Sequence, residues 1–192
     1  YIMANIPTGK VCIPDVGERL LNEEWQEGLL RNLEQKDPGK LVKLRAGDSL
    51  SFSSGLFIEV LSPREILSLT PSDANNNSLV LRLTYLNKRI LLAGDMELDQ
   101  IRAVAERGID CQADFIKLPH HGAEGSLDTA WFDRANPQAV FIQVGRNSFG
   151  HPSPEVLAYW GEREVPLFRT DIQGTIELII DNKGFHIISG RT

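Results

Sequence analysis

The sequence predicts a layered α/β domain, and three observations indicate this fold class. Short apolar runs alternate with amphipathic helical patterns between residues 97 and 171. Further strand-like runs precede and follow this alternating region. The 192 residues are 42% hydrophobic and 24% charged, which is typical of a globular domain with a substantial core. Because the sequence shows no internal repeat or linker, residues 1–192 are expected to form one domain, or part of one.

The first half of the chain predicts a short strand, then one helix, then several further strands. The helix is predicted because apolar residues recur at helical spacing from Trp25 to Leu33. The hairpin is predicted because leucines alternate from Leu79 to Leu83 and a turn follows in "LNKR". The predicted elements are a short buried strand at 9–14, the helix at 22–37, strands at 41–52 and 56–63, and the hairpin at 75–95.

The second half predicts strands and helices in alternation, closed by a hairpin. Ser126 or Asp128 can cap the middle helix, and Pro154 suits the first turn of the last one. The predicted elements are helices at 97–108, 126–135 and 154–163, strands at 113–119, 139–145 and 165–171, and a final hairpin at 175–188.

The charge of the chain limits how it can bind nucleic acid. A net charge of −6 and a pI of about 5.3 argue against nonspecific binding over the whole surface, which needs clustered Lys and Arg. A nuclease is not excluded, since bound divalent metals supply positive charge where the phosphate reacts.

Neither the cysteines nor the hydropathy defines a cellular compartment. Cys12 and Cys111 have no metal-like spacing, and both are expected to be small buried hydrophobic residues rather than a disulfide. No apolar run approaches the ~20 residues that span a bilayer, so no membrane segment is predicted. The N-terminal "YIMANIPTGK" has no signal-peptide pattern.

Three loops that follow apolar strands carry side chains able to bind a metal ion or to take part in catalysis. They contain Asp95 in "LLAGDME", His120 and His121 in "IKLPHHG", and His151 in "VGRNSFGHPSP". Strand ends at one sheet edge are where functional groups gather. Asp95 alone could instead cap the next helix, and His151 could be an ordinary turn residue.

Together these residues predict a metal site. A carboxylate and imidazoles suit Zn or Mn, and Asp95 has two oxygens that can bridge two ions, while His120 or His121 completes one ion's ligands. Gly122 would let the backbone approach closely. His151 is expected to act as a general acid or to contact a phosphate oxygen.

Other polar residues have simpler interpretations. Residues 75–77 are expected to form a polar turn, although one asparagine could reach the site. Lys117 is expected to be solvated or to support the site, Asp171 to lie in a turn, and His186 to be structural. The sequence has no serine-hydrolase elbow, P-loop, nucleotide-binding glycine fingerprint or cysteine zinc motif. The residues alone therefore indicate a metal-dependent site without identifying its reaction.

Several motifs in order resemble one family: "NNNSLVLRL", "ILLAGDME", "ADFIKLPHHG", "FIQVGRNSFGHPSPEVL" and "LFRTDIQGTI". They look like the C-terminal part of the metallo-β-lactamase-fold domain of ComEC-type competence proteins and their stand-alone relatives. The match runs from about residue 75 to the end. The strands predicted before it also look like those that precede these motifs in the family.

The resemblance implies an αββα sandwich with two divalent metal ions, Zn or Mn, that hydrolyses a phosphodiester, with DNA as the expected substrate. Asp95 would be the bridging ligand, and His121 is favoured over His120 as a terminal ligand. Asn76 or Asn77 falls where relatives carry another ligand histidine, so Asn77 is a candidate for substrate contact. His151 would contact the substrate, and Arg146 and Arg169 are candidates for DNA binding.

One departure from the family is large. The motif His-x-[His/Asp]-x-Asp-His is absent, and no histidine precedes His120. Residues 1–14 resemble the segment after that motif, so the chain is interpreted as a partial domain whose N-terminal half lies upstream. The chain alone is expected to be inactive or nearly so, and to self-associate through an exposed sheet edge. A competence protein would carry this domain on the extracytoplasmic side of a bacterial membrane; otherwise it would be soluble.

Two other functions stay open. The chain could be a non-catalytic module that binds a protein partner, or a hydrolase of the same fold acting on a small substrate. A nuclease would need basic residues leading to the site, whereas a small-substrate enzyme would not.

Overall fold

The computed structural model describes residues 9–16, 28, 31, 33, 35 and 39–190. The helix predicted at 22–37 falls mostly outside these described residues. Within the described part of the chain, none of the helices is long and apolar enough to cross a membrane.

The described elements are eleven strands and four helices, with three short 3₁₀ turns. The strands are β1 (Val11–Pro14), β2 (Leu41–Leu44), β3 (Ser49–Ser51), β4 (Phe57–Ser62), β5 (Val80–Tyr85), β6 (Lys88–Leu92), β7 (Phe115–Lys117), β8 (Ala139–Ile142), β9 (Leu167–Arg169), β10 (Thr175–Asp181) and β11 (Gly184–Gly190). The helices are α1 (Leu98–Glu106), α2 (Thr129–Ala135), α3 (Pro154–Glu162) and α4 (Thr170–Gln173), and the 3₁₀ turns are Asn75–Asn77, Pro119–Gly122 and Glu124–Ser126.

A seven-stranded mixed sheet organises the molecule. Its strands lie in the chain order β3-β4-β5-β6-β7-β8-β9. Neighbours from β3 to β6 are antiparallel, as expected for strands joined by short turns. Neighbours from β6 to β9 are parallel, because α1, α2 and α3 supply the crossovers that parallel strands need. The alternating second half predicted from the sequence is confirmed.

The helices bury one face of this sheet. Ile116 and Val140, from adjacent strands, pack in one core with Ile101 of α1, Trp131 of α2 and Trp160 of α3. All five side chains are almost completely buried. This core fixes the positions of the strand ends, so that the loops after β6, β7 and β8 start from a rigid base.

The hairpin β10–β11 covers part of the other face. Phe185 packs edge-on against Phe115, with ring centroids 4.8 Å apart. Phe115 and its neighbour Ile116 are both fully buried, so β7 is covered on both faces, as in central parallel strands. Beside the hairpin lies a cleft of about 490 Å³ lined mainly by apolar residues, including Leu92 and Leu178.

Two details of the N-terminal region differ from the sequence prediction. The run 41–52 does not form one strand: β2 pairs in parallel with β1, while β3 joins the large sheet. Cys12 is exposed on β1, so the prediction that it is buried is wrong, while Cys111 is buried as expected. The reason is that β1 and β2 form a small sheet separate from the seven-stranded one, and no neighbouring element among the described residues buries the Cys12 side of β1.

The N-terminus of α2 offers a test of the fold. Asp128 accepts a hydrogen bond from the Trp131 N–H at 2.8 Å, which settles the cap in favour of Asp128 over Ser126. We expect Asp128→Ala to lower the free energy of unfolding by about 1 kcal/mol, measured by urea denaturation. Asp128→Asn keeps an acceptor and should lose much less; equal losses in both variants would contradict the capping role.

Candidate metal and substrate site

The three predicted loops meet at one edge of the sheet. They follow β6, β7 and β8, which are adjacent and parallel, so their carboxyl ends point the same way. The His120 N–H donates to the Gly94 carbonyl at 3.1 Å, and the Ser153 N–H donates to the Gly122 carbonyl at 2.9 Å. The three loops are therefore joined directly by backbone hydrogen bonds.

A tight turn presents Asp95 at this edge. Gly94 has a φ of +57°, and a Cβ at this position would lie 2.8 Å from the Cβ of Ser78. The turn therefore needs glycine. The Asp95 N–H donates to Ser78 Oγ at 3.1 Å, while the carboxylate stays 44% exposed. The backbone is thus held while the carboxylate is left open to a ligand.

Lys117 supports the same turn from β7. Its Nζ donates to the Gly94 carbonyl at 3.0 Å and lies 3.9 Å from Asp95 Oδ1. Burial lowers the pKa of Lys117 below its usual value, and the nearby Asp95 carboxylate opposes that shift. The side chain is mostly buried and contacts the turn. Of the two roles expected from the sequence, solvated or supporting the site, the structure agrees with the second.

The double histidine adopts an unusual backbone. His120 and His121 have φ values of 44° and 55°, in the left-handed region that residues with a Cβ rarely occupy. Such conformations cost about 1–3 kcal/mol each and cluster at functional sites. Gly122 follows at φ +79°, where a Cβ would lie 2.9 Å from the Cβ of Pro152. The glycine therefore permits a close approach, here between two loops.

The ring orientation of His121 is set by a backbone carbonyl. Its Nδ1 lies 2.6 Å from the carbonyl oxygen of Gln143. A carbonyl can only accept, so Nδ1 carries the proton and, in the neutral ring, Nε2 has a free lone pair. That Nε2 lies 3.8 Å from Asp95 Oδ1. Metal-binding histidines commonly donate the far ring N–H to a carboxylate, a backbone carbonyl or water, and a carbonyl is the partner here.

His120 points to a different carboxylate. Its Nδ1 lies 3.2 Å from Glu97 Oε1 without a hydrogen bond between them, and this buried nitrogen has no hydrogen-bond partner among the described residues. Asn75 donates to Glu97 Oε1 at 2.9 Å, and Asn76 donates to Oε2 at 3.4 Å. Glu97 is therefore held beside His120 by the asparagine turn.

Glu97 is a site residue that the sequence interpretation missed. It occupies the N-cap position of α1, where its side chain makes no capping hydrogen bond and is free to turn toward His120. The available signal was its position two residues after Asp95, at the same strand end.

His151 lies beside the histidine pair. Its ring centroid is 5.2 Å from that of His120. Burial, followed by the proximity of His120 and His121, lowers the pKa of His151 from its ordinary value, which favours the neutral ring. A neutral imidazole still carries one N–H, which can donate a hydrogen bond to a phosphate oxygen.

Asn77 and Arg169 are less available than the sequence suggested. Asn77 is 2% exposed, and its amide exchanges hydrogen bonds with the backbone of Leu67 and donates to the Asp73 carbonyl. This geometry argues against the proposed substrate contact. Arg169 forms a two-point ion pair with Asp171, at 3.1 and 2.7 Å.

Arg146 remains available for a ligand. It is exposed and lines a cleft of about 480 Å³ together with His121, Phe149 and His151. By contrast, His186 is exposed on β11 and lies outside the lining of this cleft, which is consistent with a role away from the site.

These residues fit part of a metal site. Two ligands of one tetrahedral zinc ion lie about 3.3 Å apart, so Asp95 Oδ1 and His121 Nε2 need to approach by only about 0.5 Å. No group of three or more His, Cys, Asp or Glu side chains arranged for a metal occurs in the part of the chain that the structure describes. Two protein donors are fewer than the three or four that zinc sites use.

Comparison of the sequence with curated proteins finds a relative from a bacterial competence operon. ComE operon protein 3 of Bacillus subtilis (strain 168), a ComEC-type competence protein, is 29% identical over 179 residues. The alignment covers 93% of this chain, well beyond the motifs that first indicated the resemblance, but the chain spans only about a fifth (21%) of the relative's length. No protein-family model matches the sequence.

Comparison of the structure supports the fold independently. A solved metallo-β-lactamase-fold protein, "CmlA beta-hydroxylase E377D mutant", superposes with a TM-score of 0.51 at 14% identity, over 84% of this chain and 38% of that one. At this identity the likeness concerns the fold alone. The chain therefore has a metallo-β-lactamase-like fold, and its sequence resembles ComEC-type competence proteins over nearly its whole length.

Proposed function

We propose that this chain provides part of the active site of a metal-dependent phosphodiester hydrolase that acts on DNA, as in a DNA-uptake protein. The observation that carries the proposal is the pairing of Asp95 Oδ1 with Nε2 of His121 at 3.8 Å, with the other ring nitrogen of His121 held by the Gln143 carbonyl. His121 of this pair lines the cleft that also holds Arg146. The resemblance to ComE operon protein 3 supports the competence role.

The proposed chemistry assigns each residue a task. A divalent ion held by Asp95 and His121 would polarise the phosphodiester and generate a nucleophile from water. Arg146 would bind a non-bridging phosphate oxygen, since a guanidinium matches phosphate geometry. His151 would donate a ring N–H to the reacting phosphate. Glu97, with Oε1 3.2 Å from His120 Nδ1, would place a carboxylate beside that ring.

Because the chain supplies only part of a metal-ligand set, the test must also supply the missing ligands. The sequence contains no His-x-[His/Asp]-x-Asp-His motif. We therefore compare the chain alone with a fusion that places a segment carrying this motif, from a metallo-β-lactamase-fold hydrolase, ahead of residue 1. Cleavage of labelled single- and double-stranded DNA is measured with Mn²⁺ or Zn²⁺ added.

We expect metal-dependent cleavage by the fusion and little or none by the chain alone. Robust cleavage by the chain alone would contradict the assignment of a partial site. A fusion that binds metal but cleaves no phosphodiester would contradict the proposed hydrolase.

A partner-binding module is the second candidate. It is favoured by the absence of a three-ligand group within the described residues. This candidate becomes the better one if neither the chain nor the fusion binds a divalent ion. The proposed self-association and the proposed pairing with an N-terminal half can be measured by sedimentation of the chain at increasing concentration, with and without the upstream segment.

His151→Ala separates a role in contacting substrate from a role in metal binding. We expect turnover of DNA by the fusion to fall about 10- to 100-fold while bound metal is unchanged, because the ring lies near the histidine pair without being one of the two donors. His186→Ala is the matched control, as this histidine is exposed on β11. Loss of metal from the His151 variant would make His151 a ligand instead.

A further inference from the structure

Phe149 occupies an unusual position for a large apolar side chain. It is 80% exposed, and it lies at the same cleft as Arg146 and His151. A single exposed hydrophobic residue needs no explanation by itself, but this one stands within a cleft that also holds a cation. The cleft combines an apolar plane with a positive charge.

The loop that carries Phe149 is well held. The Asn147 side chain accepts hydrogen bonds from the N–H groups of Phe149 and His151, at 3.0 and 3.1 Å, and donates to the carbonyls of Gly145 and His151. At the start of the loop, Thr170 Oγ1 accepts from the Val144 N–H and donates to the Val144 carbonyl. The exposure of Phe149 therefore belongs to a defined loop conformation.

The ring of Phe149 is linked to the histidine pair through the ring of His151. The Phe149 ring lies nearly parallel to that of His151, at 22° with centroids 6.0 Å apart, and His151 in turn lies 5.2 Å from His120. With most of its surface exposed, Phe149 offers a ring face to a flat ligand.

The positive charge of Arg146 indicates which kind of flat ligand the cleft would bind. Arg146 is exposed and has no ion pair within the described residues, so it is free to bind an anion in the same cleft. A nucleotide joins an aromatic base to a phosphate, which matches a ring face next to a guanidinium. In a duplex, base faces are covered by their neighbours, so only an unpaired or extruded base can stack on a protein ring.

We propose that Phe149 stacks on an unpaired nucleobase next to a phosphate bound by Arg146, so that the cleft takes a single strand in preference to a blunt duplex. The proposal rests on the proposed function, because it names the form of nucleic acid that enters that same site. It assigns Phe149 a role in substrate specificity rather than in bond cleavage.

The test is a binding measurement on the 192-residue chain without metal, so that it does not depend on catalysis. The probes are a labelled thymidine chain of about 12 nucleotides, the same chain with abasic residues, and a blunt duplex. The proteins are wild type, Phe149→Ala, Phe149→Trp and Arg146→Ala, with thermal melting to show that each is folded.

We expect Phe149→Ala to weaken binding of the thymidine chain about 5- to 100-fold and to leave binding of the abasic chain unchanged. Arg146→Ala should weaken both single strands and reduce the salt dependence of binding. In Phe149→Trp, the thymidine chain should quench fluorescence above the wild-type background, and the abasic chain should not.

Several outcomes would overturn the stacking role. Equal losses with all three probes would mean that Phe149 only maintains the loop. No loss with any probe would indicate an apolar contact to something other than nucleic acid. If the chain binds no oligonucleotide while the fusion cleaves DNA, the stacking role fails and the hydrolase stands. If the Trp signal appears but the fusion is inactive, the hydrolase fails and the stacking role stands.

Discussion

Asp95→Asn is expected to abolish metal-dependent DNA cleavage by the fusion, with a loss of about 1,000-fold or more. The substitution keeps the size of the side chain but removes the charge that would hold a divalent ion. It should also weaken the binding of Mn²⁺ or Zn²⁺ to the chain, measured by calorimetry. The cleavage rate and the metal affinity depend on the same carboxylate, so both should decrease in this variant.

The fold should survive this substitution. The Asp95 contacts that fix the turn come from its backbone, which donates to Ser78, while the carboxylate is 44% exposed and lies 3.9 Å from Lys117 Nζ. The melting temperature should therefore change little. His186→Ala provides the control for a surface change elsewhere. Normal turnover with undiminished metal in the Asp95 variant would end the proposal that this residue is a ligand.

The strand ends could be predicted from the sequence because they depend on local patterns. The run "ILLAGD" places a carboxylate directly after a buried strand, and "FIKLPHHG" does the same for two histidines. Since β6, β7 and β8 are joined by helices, they had to be parallel, and their carboxyl ends had to meet. The approximate position of the site follows from this connectivity alone.

The interactions that distinguish the two histidines could not be predicted. The Gln143 carbonyl that orients His121 is 22 residues away in the chain, and Glu97, beside His120, is 23 residues away. Local propensity does not report contacts of this kind. Asn77 illustrates the same limit: a polar turn was expected, but its burial against Leu67 depends on tertiary packing.

The two wrong predictions near the N-terminus, a single strand at 41–52 and a buried Cys12, both depend on how the sheets pair. Residues 41–52 contain two strand-like runs separated by a glycine, and only the sheet pairing shows that the runs belong to different sheets. Cys12 is apolar by type but lies on a strand of a two-stranded sheet, which leaves it exposed. Composition indicates which residues prefer burial, while the packing of sheets decides which of them obtain it.

His121→Ala should separate the two members of the histidine pair. Its Nε2 lies 3.8 Å from Asp95 Oδ1, and its Nδ1 is held by Gln143, so we expect metal affinity to fall about 100-fold or more and DNA cleavage by the fusion to fall with it. His120→Ala removes a ring of similar size whose Nδ1 faces Glu97, and it should retain the metal.

The readout that decides between the two histidines is spectroscopic. In the ¹⁵N spectrum of the histidine rings, added Zn²⁺ should shift Nε2 of His121, while Nδ1 keeps the signature of a protonated nitrogen that donates to a carbonyl. A shift confined to His120, together with metal loss in His120→Ala only, would reverse the assignment. Because the carbonyl of Gln143 can only accept, no other tautomer of a neutral His121 preserves the 2.6 Å hydrogen bond, and the nitrogen left to bind the metal is Nε2, 3.8 Å from Asp95 Oδ1.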